Sequence, residues 1–456
     1  MSQPISVSGV FHTSNLPQYT YRPIRHKDSI RLLHLHPSVD DSAPITFSIL
    51  QARLSDTKLE YEALSYTWGI QFPKQTVFCQ NPPSILKVTQ NCYGALRRLR
   101  TDSVRCLWID AICINQEDNN ERSAQVQIID RVFARASRVI VDLGEETLGS
   151  RLLFNELAEA EQSKKLTGKY TRPWPNDRII HELECLYRRP WFSRVWVIQE
   201  VVASPNVRIM CGTYESSWSA LASCDFGFSN TRVTRDEDPP ILRINNPRML
   251  RQYKSTDGLW KILLDTRSMS ASDPRDRVFA LLSLLGSSLN IRDKLIDYSQ
   301  SSERVFTSVG NLLLSQVGLL LLTATRHSHV REMPSWVPDW SQNYYCDWLR
   351  FRGYYSTEQE EPRRTLKASG FELLSVGKHL CALKVKGIRF GTIIHQSAAF
   401  SCARLDDAEC AFFELLDFFH ESQSDKHILS RTNGISLPPD ILAGKCGCML
   451  KYQLKY

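Results

Sequence analysis

The sequence predicts an α/β fold in which helices cover a parallel sheet, with a β-rich lead-in before it and a mixed α+β region after it. Three observations lead there. Residues 61–204 read strand, helix, strand, helix, strand, helix, the order that builds a parallel sheet with helical crossovers. The strand candidates "CLWI" and "RVIVDLG" in that span are short apolar runs of the kind that suits a buried sheet. The segments before it, "IRLLHL" (30–35) and "ITFSILQARL" (45–54), alternate enough for strands and are separated by a Pro/Asp/Ser loop. The expected organisation is an N-terminal β-rich segment over 1–58, an α/β core over 59–205, a helical and loop extension over 206–345, and a C-terminal α+β region over 346–456.

Each core element has its own signal. "YEALSYTWG" (61–69) is a strand running into a loop that ends at Gly69. "KVTQNCYGALRRLR" (87–100) starts at Thr89, a residue type that caps helices, and Cys92, Leu96 and Leu99 mark one apolar face. "CLWIDAICINQ" (106–116) is an apolar strand that turns polar at Asp110 and again at Asn115 and Gln116. Asp118 with Glu121 three residues later starts the next helix, where Val126, Ile129 and Phe133 recur at helical spacing. "RVIVDLG" (138–144) is a strand. About forty polar residues with weak helical signals follow. A helix over 188–204 with Ser193 as its cap completes the unit.

Later elements are less regular. "VRIMCGTYESSWSAL" reads as strand and turn, and "DEDPPILRINNPRM" as a loop. "SDPRDRVFALLSLLG" reads as a helix capped by Asp273, with Pro274 at its first position and Gly286 as its stop. There Asp276, flanked by Arg275 and Arg277, reads as a solvated or salt-bridged helix start. "VGNLLLSQVGLLLLTATRH" is too short and too polar to span a membrane, and reads as a helix ending at Gly318 followed by a strand. "PSWVPDWS" (334–341) reads as a docking segment between domains. The last hundred residues hold short strands and a helix around "DDAECAFFELLDFFHE".

Composition narrows the function classes. The net charge of +7 over 456 residues is modest and spread along the chain, so no nucleic-acid footprint is expected. Thirteen cysteines, an odd number at irregular spacing, with no signal-peptide pattern at the N-terminus, imply a reducing, cytoplasmic setting without a disulfide framework. Cys446 and Cys448 lack a second pair at zinc spacing, and His34 and His36 lack a third ligand, so no metal site is expected. The chain has no phosphate loop, no G-x-G-x-x-G, no H-E-x-x-H and no G-x-S-x-G. Nucleoside triphosphatases of the P-loop type, ordinary dinucleotide dehydrogenases, zincins and α/β-hydrolases are therefore disfavoured.

In a parallel sheet, ligand groups gather beyond the carboxyl ends of the strands. Those ends carry Ser65, Tyr66, Trp68 and Gly69, then Asp110, Asn115 and Gln116, then Asp142. Glu200 stands out. It closes the apolar run "SRVWVIQE", one helical turn beyond Trp196, with no lysine near it. It is either a buried structural acid paired with an arginine or the working group of a site. Trp191 and Trp196 read more readily as core than as ligand-stacking residues.

Four stretches, "YEALSYTWG", "LWIDAICINQ", "RVIVDLG" and "RPWFSRVWVIQE", in this order and spacing, resemble the heterokaryon incompatibility (HET) domain of filamentous fungi. "DPRDRVFALL" and "PSWVPDWS" resemble segments that commonly follow it. The resemblance implies a cell-death effector in allorecognition, acting with proteins of an incompatibility system and self-associating on activation. The HET domain is in turn distantly similar to Toll/interleukin-receptor (TIR) domains, which have a flavodoxin-like parallel sheet. Many TIR domains cleave NAD with a helical glutamate in a W-C-x-x-E context, on which Trp196 to Glu200 falls, with valine in place of cysteine and a longer insertion before the helix. This similarity implies Glu200 as the catalytic residue and NAD as substrate, with no cofactor. Loss of neutral nicotinamide needs no general acid, and one carboxylate can stabilise the oxocarbenium-like transition state. Ser65, Tyr66, Trp68, Gly69, Asp110, Asn115, Gln116, Arg194 and Trp196 are the substrate-binding candidates. The alternative is a non-enzymatic signalling or self-association module in which Glu200 only holds its helix.

Overall fold

The computed structural model describes residues 16–40, 42–168, 177–224, 257–285 and 292–325, together with 333–342, a few residues around 240, 250 and 253, and strands at 371–376, 379–385, 392–393 and 454–455. The chain divides into two compact units, Met1–Val309 and Gly310–Tyr456.

The first unit is organised on one mixed sheet of nine strands among the described residues: β1 Ser29–Leu35, β2 Thr46–Arg53, β3 Glu62–Tyr66, β4 Gln75–Gln80, β5 Pro83–Val88, β6 Arg105–Trp108, β7 Arg138–Asp142, β8 Val207–Cys211 and β9 Tyr214–Ser217. Their order across the sheet is β5-β4-β2-β1-β6-β3-β7-β8-β9. The stretch β6-β3-β7-β8 is parallel throughout, and β2 also pairs parallel with β4. Antiparallel pairs join β6 to β1, β1 to β2, β4 to β5 and β8 to β9. The parallel sheet expected from the sequence is thus corrected to a mixed sheet with a parallel centre. The lead-in strand β1 lies directly beside β6, with Leu33 opposite Leu107. The β4–β5 hairpin has no counterpart in the sequence reading.

The parallel centre is apolar where crossovers must cover it. Ala63 and Leu64 of β3 and Val139, Ile140 and Val141 of β7 are all at most 2% exposed. Adjacent residues point to opposite faces of a strand, so both faces are buried. Burying such side chains contributes roughly 1.5–3 kcal/mol each. Helices α1 Gln90–Leu99, α2 Asp110–Cys113, α3 Asn119–Gln127, α4 Ile129–Arg135, α5 Leu148–Thr167, α6 Asp177–Tyr187, α7 Val197–Val202 and α8 Trp218–Cys224 accompany these strands. Thr89 accepts a hydrogen bond from the Cys92 amide, and Cys92, Ala95, Leu96 and Leu99 face inward, so the expected cap and apolar face of α1 are both present. Asp118 accepts from the Asn120 and Glu121 amides at the start of α3. The expected single helix there breaks at Ile128, where α4 begins. The weakly patterned polar stretch after β7 holds α5, closed at both ends by a Thr147/Ser150 capping box and a left-handed Gly168.

Three sequence expectations fail in detail. The helix expected over 188–204 is a 3-10 turn at Pro190–Ser193, an extended Arg194, and the six-residue α7. Ser193 does not cap it; its hydroxyl donates to the Pro190 carbonyl inside the turn. Pro190 starts the turn, and the strand-like bridge between Arg194 and Ser270 takes the chain out of helical geometry before α7 begins. The helix expected at "SDPRDRVFALLSLLG" shortens to α10 Asp276–Phe279 followed by a 3-10 turn at Leu282–Leu284, after α9 Gly258–Asp265, and its expected stop, Gly286, lies outside the described residues. The apolar run after α11 Ser302–Val317 is a 3-10 helix, Gly318–Ala324, not a strand.

In the second unit Trp336, Val337 and Trp340 are buried, and β10 Phe371–Val376 pairs antiparallel with β11 His379–Val385. A two-residue pair joins β12 Thr392–Ile393 to β13 Leu454–Lys455. The helix expected around "DDAECAFFELLDFFHE" and most of the loop "DEDPPILRINNPRM" lie outside the described residues.

Candidate functional site

Beyond the carboxyl ends of β3 and β6 a polar cluster forms around Glu200. The strand β3 ends in Ser65 and Tyr66, whose side chains point to opposite faces. The Ser65 hydroxyl, 1% exposed, donates to the Glu200 carboxylate and accepts from the Trp191 indole N–H at 2.7 Å. The Arg194 guanidinium stands 4.0 Å from the same carboxylate and donates to the Tyr66 carbonyl. Tyr66 turns its ring the other way, where its buried hydroxyl lies against the Cys92 thiol of α1. Burial pushes that hydroxyl well above the usual tyrosine range.

Asp110 begins α2, directly after β6. Its carboxylate accepts from the Trp68 indole at 2.9 Å and from the Ala111 amide at 2.7 Å. The Gln116 side chain donates to the Asp110 carbonyl at 2.9 Å and closes this turn. Arg194 is electrostatically coupled to both carboxylates. Desolvation dominates at both, so both carboxyls sit above the usual range, with Arg194 and the hydrogen bonds from Ser65 and Trp68 pulling back. Two acids raised by burial and sharing one arginine form the kind of perturbed arrangement that marks functional sites.

Of the ten residues expected at the site, Ser65, Tyr66, Trp68, Asp110, Gln116, Arg194 and Glu200 are tied together by these contacts. The others have different duties. Gly69 takes a left-handed turn (φ 72°), and a side chain there would strike Asn91, which donates to the Thr67 carbonyl at 2.9 Å. Asn115 accepts from the Glu117 amide, and its own amide donates to Glu121. Trp196 shares the helical turn with Glu200, yet its indole donates to Asp276. Asp142, a strand-end residue outside these ten, is held by two Arg98 nitrogens, at 3.1 and 2.7 Å.

The core reading of Trp191 holds but missed a bond it makes, and Asp276 was misread in the sequence. Trp191 is core by burial, at 1% exposure, but its N–H holds Ser65. Asp276 is not paired with its neighbouring arginines: Arg275 grips Asp273 at 2.8 and 2.6 Å, and Arg277 donates to the Arg267 carbonyl. It accepts instead from Tyr298 and Trp196. No local spacing signals a partner twenty or eighty residues away.

Glu200 is 5% exposed, so in this conformation its carboxylate meets protein groups and little solvent. Among the described residues no group of three or more His, Cys, Asp or Glu side chains is placed to hold a metal ion, and no helix is long and apolar enough to cross a membrane.

The comparisons with known proteins bear on the same stretch. The family described as heterokaryon incompatibility protein (HET) matches residues 61–200, from Tyr61 before β3 to Glu200 itself. The chain is also 26% identical to heterokaryon incompatibility protein 6, OR allele, of Neurospora crassa, in an alignment of 396 positions covering 68% of this chain and 58% of that protein. The chain therefore spans less than two thirds of that relative's length. No solved structure matches the chain.

Proposed function

We propose that this chain, which belongs with the heterokaryon incompatibility domain proteins through its residues 61–200, is an allorecognition effector that kills mixed cells by cleaving NAD at Glu200. The observation that carries the reading is the convergence of Glu200, Ser65, Arg194 and Asp110 beyond the carboxyl ends of parallel strands. The parallel centre, taken in chain order, runs 2-1-3-4, as flavodoxin-like sheets begin. That order supports the TIR-like kinship on which the NAD reading leans.

The reaction breaks the bond between nicotinamide nitrogen and ribose C1′. The bonding pair leaves with nicotinamide, whose ring nitrogen becomes neutral. The cation left on the ribose is stabilised by the ionised Glu200, and water adds to it with loss of a proton. Arg194 suits a phosphate of the dinucleotide, and Ser65 and Gln116 suit ribose hydroxyls. The 5% exposure of Glu200 means that α7 or the β3 loop must move before substrate enters. Assembly with a second copy or with incompatibility partners is the proposed trigger for that movement, in the cytoplasm.

The same burial favours a second reading, a signalling module that kills through partners while Glu200 fastens α7 to β3. NAD content in yeast expressing the chain separates the two, with wild type and Glu200→Gln compared at matched protein levels and a forced-dimer fusion included. The expected result is NAD loss in the wild type that Glu200→Gln abolishes. Death without NAD loss, or NAD loss indifferent to Glu200, would overturn the enzymatic reading.

A further inference from the structure

The helix that carries Glu200 is held from two sides. On one side are the β3 contacts described above. On the other is a segment that lies wholly outside the matched residues 61–200. Ser270 makes a parallel strand-like bridge with Arg194: the Ser270 amide donates to the Ser193 carbonyl at 2.5 Å, and its carbonyl accepts from the Val195 amide at 3.0 Å. One residue further along, Trp196 donates its indole N–H to the Asp276 carboxylate, which also accepts from the Tyr298 hydroxyl. One turn further, the buried Gln199 side chain donates to the Phe279 carbonyl at 3.4 Å. Three successive contacts thus come from residues 270–279 onto residues 193–199.

The segment that makes them is itself anchored. Arg275 ties Asp273 to the Tyr298 and Gln300 carbonyls, at 2.7 and 2.6 Å for the carbonyls. Arg122 of α3 lies 3.8 Å from the Tyr298 ring centre, a cation–π distance, and 3.6 Å from Asp273. The grip is partly polar, and burial pushes the Asp276 carboxyl up to about 6, so its ionised form is held at a cost.

We propose that residues 270–279, anchored through Tyr298 and Gln300, form an intramolecular clamp on α7 that keeps Glu200 buried against Ser65, and that release of this clamp raises the killing activity. The proposal deepens the effector reading given above by naming what restrains its site. Opening is local: α7 moves while the parallel centre of the sheet stays intact.

The test uses the purified full chain and two variants. Ser270→Pro removes the amide that donates to Ser193, and Asp276→Ala removes the acceptor shared by Trp196 and Tyr298. Amide hydrogen exchange is followed in peptides covering Val197–Val202 and, as the internal control, Val139–Val141 of β7. At least tenfold faster exchange in the α7 peptide of either variant, with the β7 peptide unchanged, is expected. Growth of yeast expressing the same variants at matched levels should fall below that of wild type. Unchanged α7 exchange in both variants would overturn the clamp. Faster exchange in α7 and β7 together would also overturn it, because the segment would then be a part of the core. Local opening with undiminished growth would overturn the restraint. Increased death without loss of NAD would leave the clamp standing and remove the NAD reading instead.

Discussion

Glu121, largely covered, and Glu200, buried, both sit on helices next to the sheet, and they are held in very different ways. Glu121 receives both terminal nitrogens of Arg31, at 2.6 and 2.8 Å, and the Asn115 amide at 2.7 Å. Arg31, 1% exposed, is further satisfied by the carbonyls of Cys113 and Arg22 and stacks 4.9 Å from the Tyr21 ring centre. Glu200 has one hydroxyl donor and an arginine no nearer than 4.0 Å. The difference teaches how to tell a staple from a site. A carboxylate with both oxygens met by a bidentate arginine and an amide fixes strand β1 to α3 and the turn before it. A carboxylate with thin pairing, such as Glu200, is held less firmly and carries a raised pKa, the combination that marks a candidate site.

The largest expected effect breaks the staple. Glu121→Ala leaves Arg31 charged, buried and short of its main acceptor, and a cost of about 3–5 kcal/mol is expected. Denaturant unfolding of the purified chain should show a markedly lower midpoint. A loss below about 1 kcal/mol would erase the distinction drawn between the two glutamates.

The next effect concerns Asp276 and depends on pH. The groups facing this carboxyl are Tyr298, Trp196, Asp273 and Arg122; burial, with Asp273 beside it, outweighs Tyr298, Trp196 and Arg122 and raises it from 3.8 to about 6. A carboxyl raised in the fold favours its protonated form, so this contribution to stability is complete below about pH 4 and is lost as pH rises through about 6. At neutral pH the ionised group costs up to ~3 kcal/mol, less whatever relaxation solvent allows at a half-buried position. Asp276→Asn should therefore be more stable than wild type at pH 7.5, with the advantage shrinking toward pH 4. An advantage that grows on acidification would contradict the assignment.

A smaller effect is expected at Trp68→Phe. The ring area is largely kept, while the hydrogen bond to Asp110 is lost. A destabilisation of roughly 1.5 kcal/mol is expected, the lower end for a hydrogen bond to a charged group. The change should also alter the titration of Asp110, because the Trp68 N–H lowers that carboxyl.

The parts of this architecture that were legible in the sequence are those with local causes. The cap at Thr89, the start at Asp118, the apolar strands β6 and β7, and the polar residues at the ends of β3 and β6 follow from propensity, periodicity and turn chemistry within a few residues. Strand direction has no such local cause. Nothing in "IRLLHL" says that it will lie antiparallel beside β6, because that pairing is settled by which edge of the parallel centre remains open. The break between Pro190 and α7 was also hidden, since the bridge that makes it comes from Ser270. The site was legible in its residue types and not in its bonds. Ser65, Asp110, Arg194 and Glu200 could be nominated from strand ends and spacing, but the roles of Trp191 and Trp196 are decided by Ser65 and Asp276, residues distant in the chain.

The smallest expected effect on stability is at Glu200 itself, and it sharpens the comparison most. Burial raises this carboxyl in the fold, so its ionised form is held there at a cost that a neutral side chain does not carry. Glutamine is neutral and nearly isosteric, and its carbonyl can accept the Ser65 hydroxyl. Arg194 keeps its bond to the Tyr66 carbonyl. Glu200→Gln should thus change stability by less than about 1 kcal/mol at neutral pH, where Glu121→Ala changes it several-fold more. The sign follows from linkage. The wild type carries the cost of an ionised buried acid above its raised folded pKa, and this cost disappears as pH falls toward the unfolded value of 4.5. The variant's relative stability should therefore be greatest at neutral pH and decline on acidification. Loss of killing with stability preserved would mean that the charge serves chemistry or recognition. A stability loss as large as that of Glu121→Ala would make Glu200 a second staple, and the thin pairing would then underestimate its hold on α7.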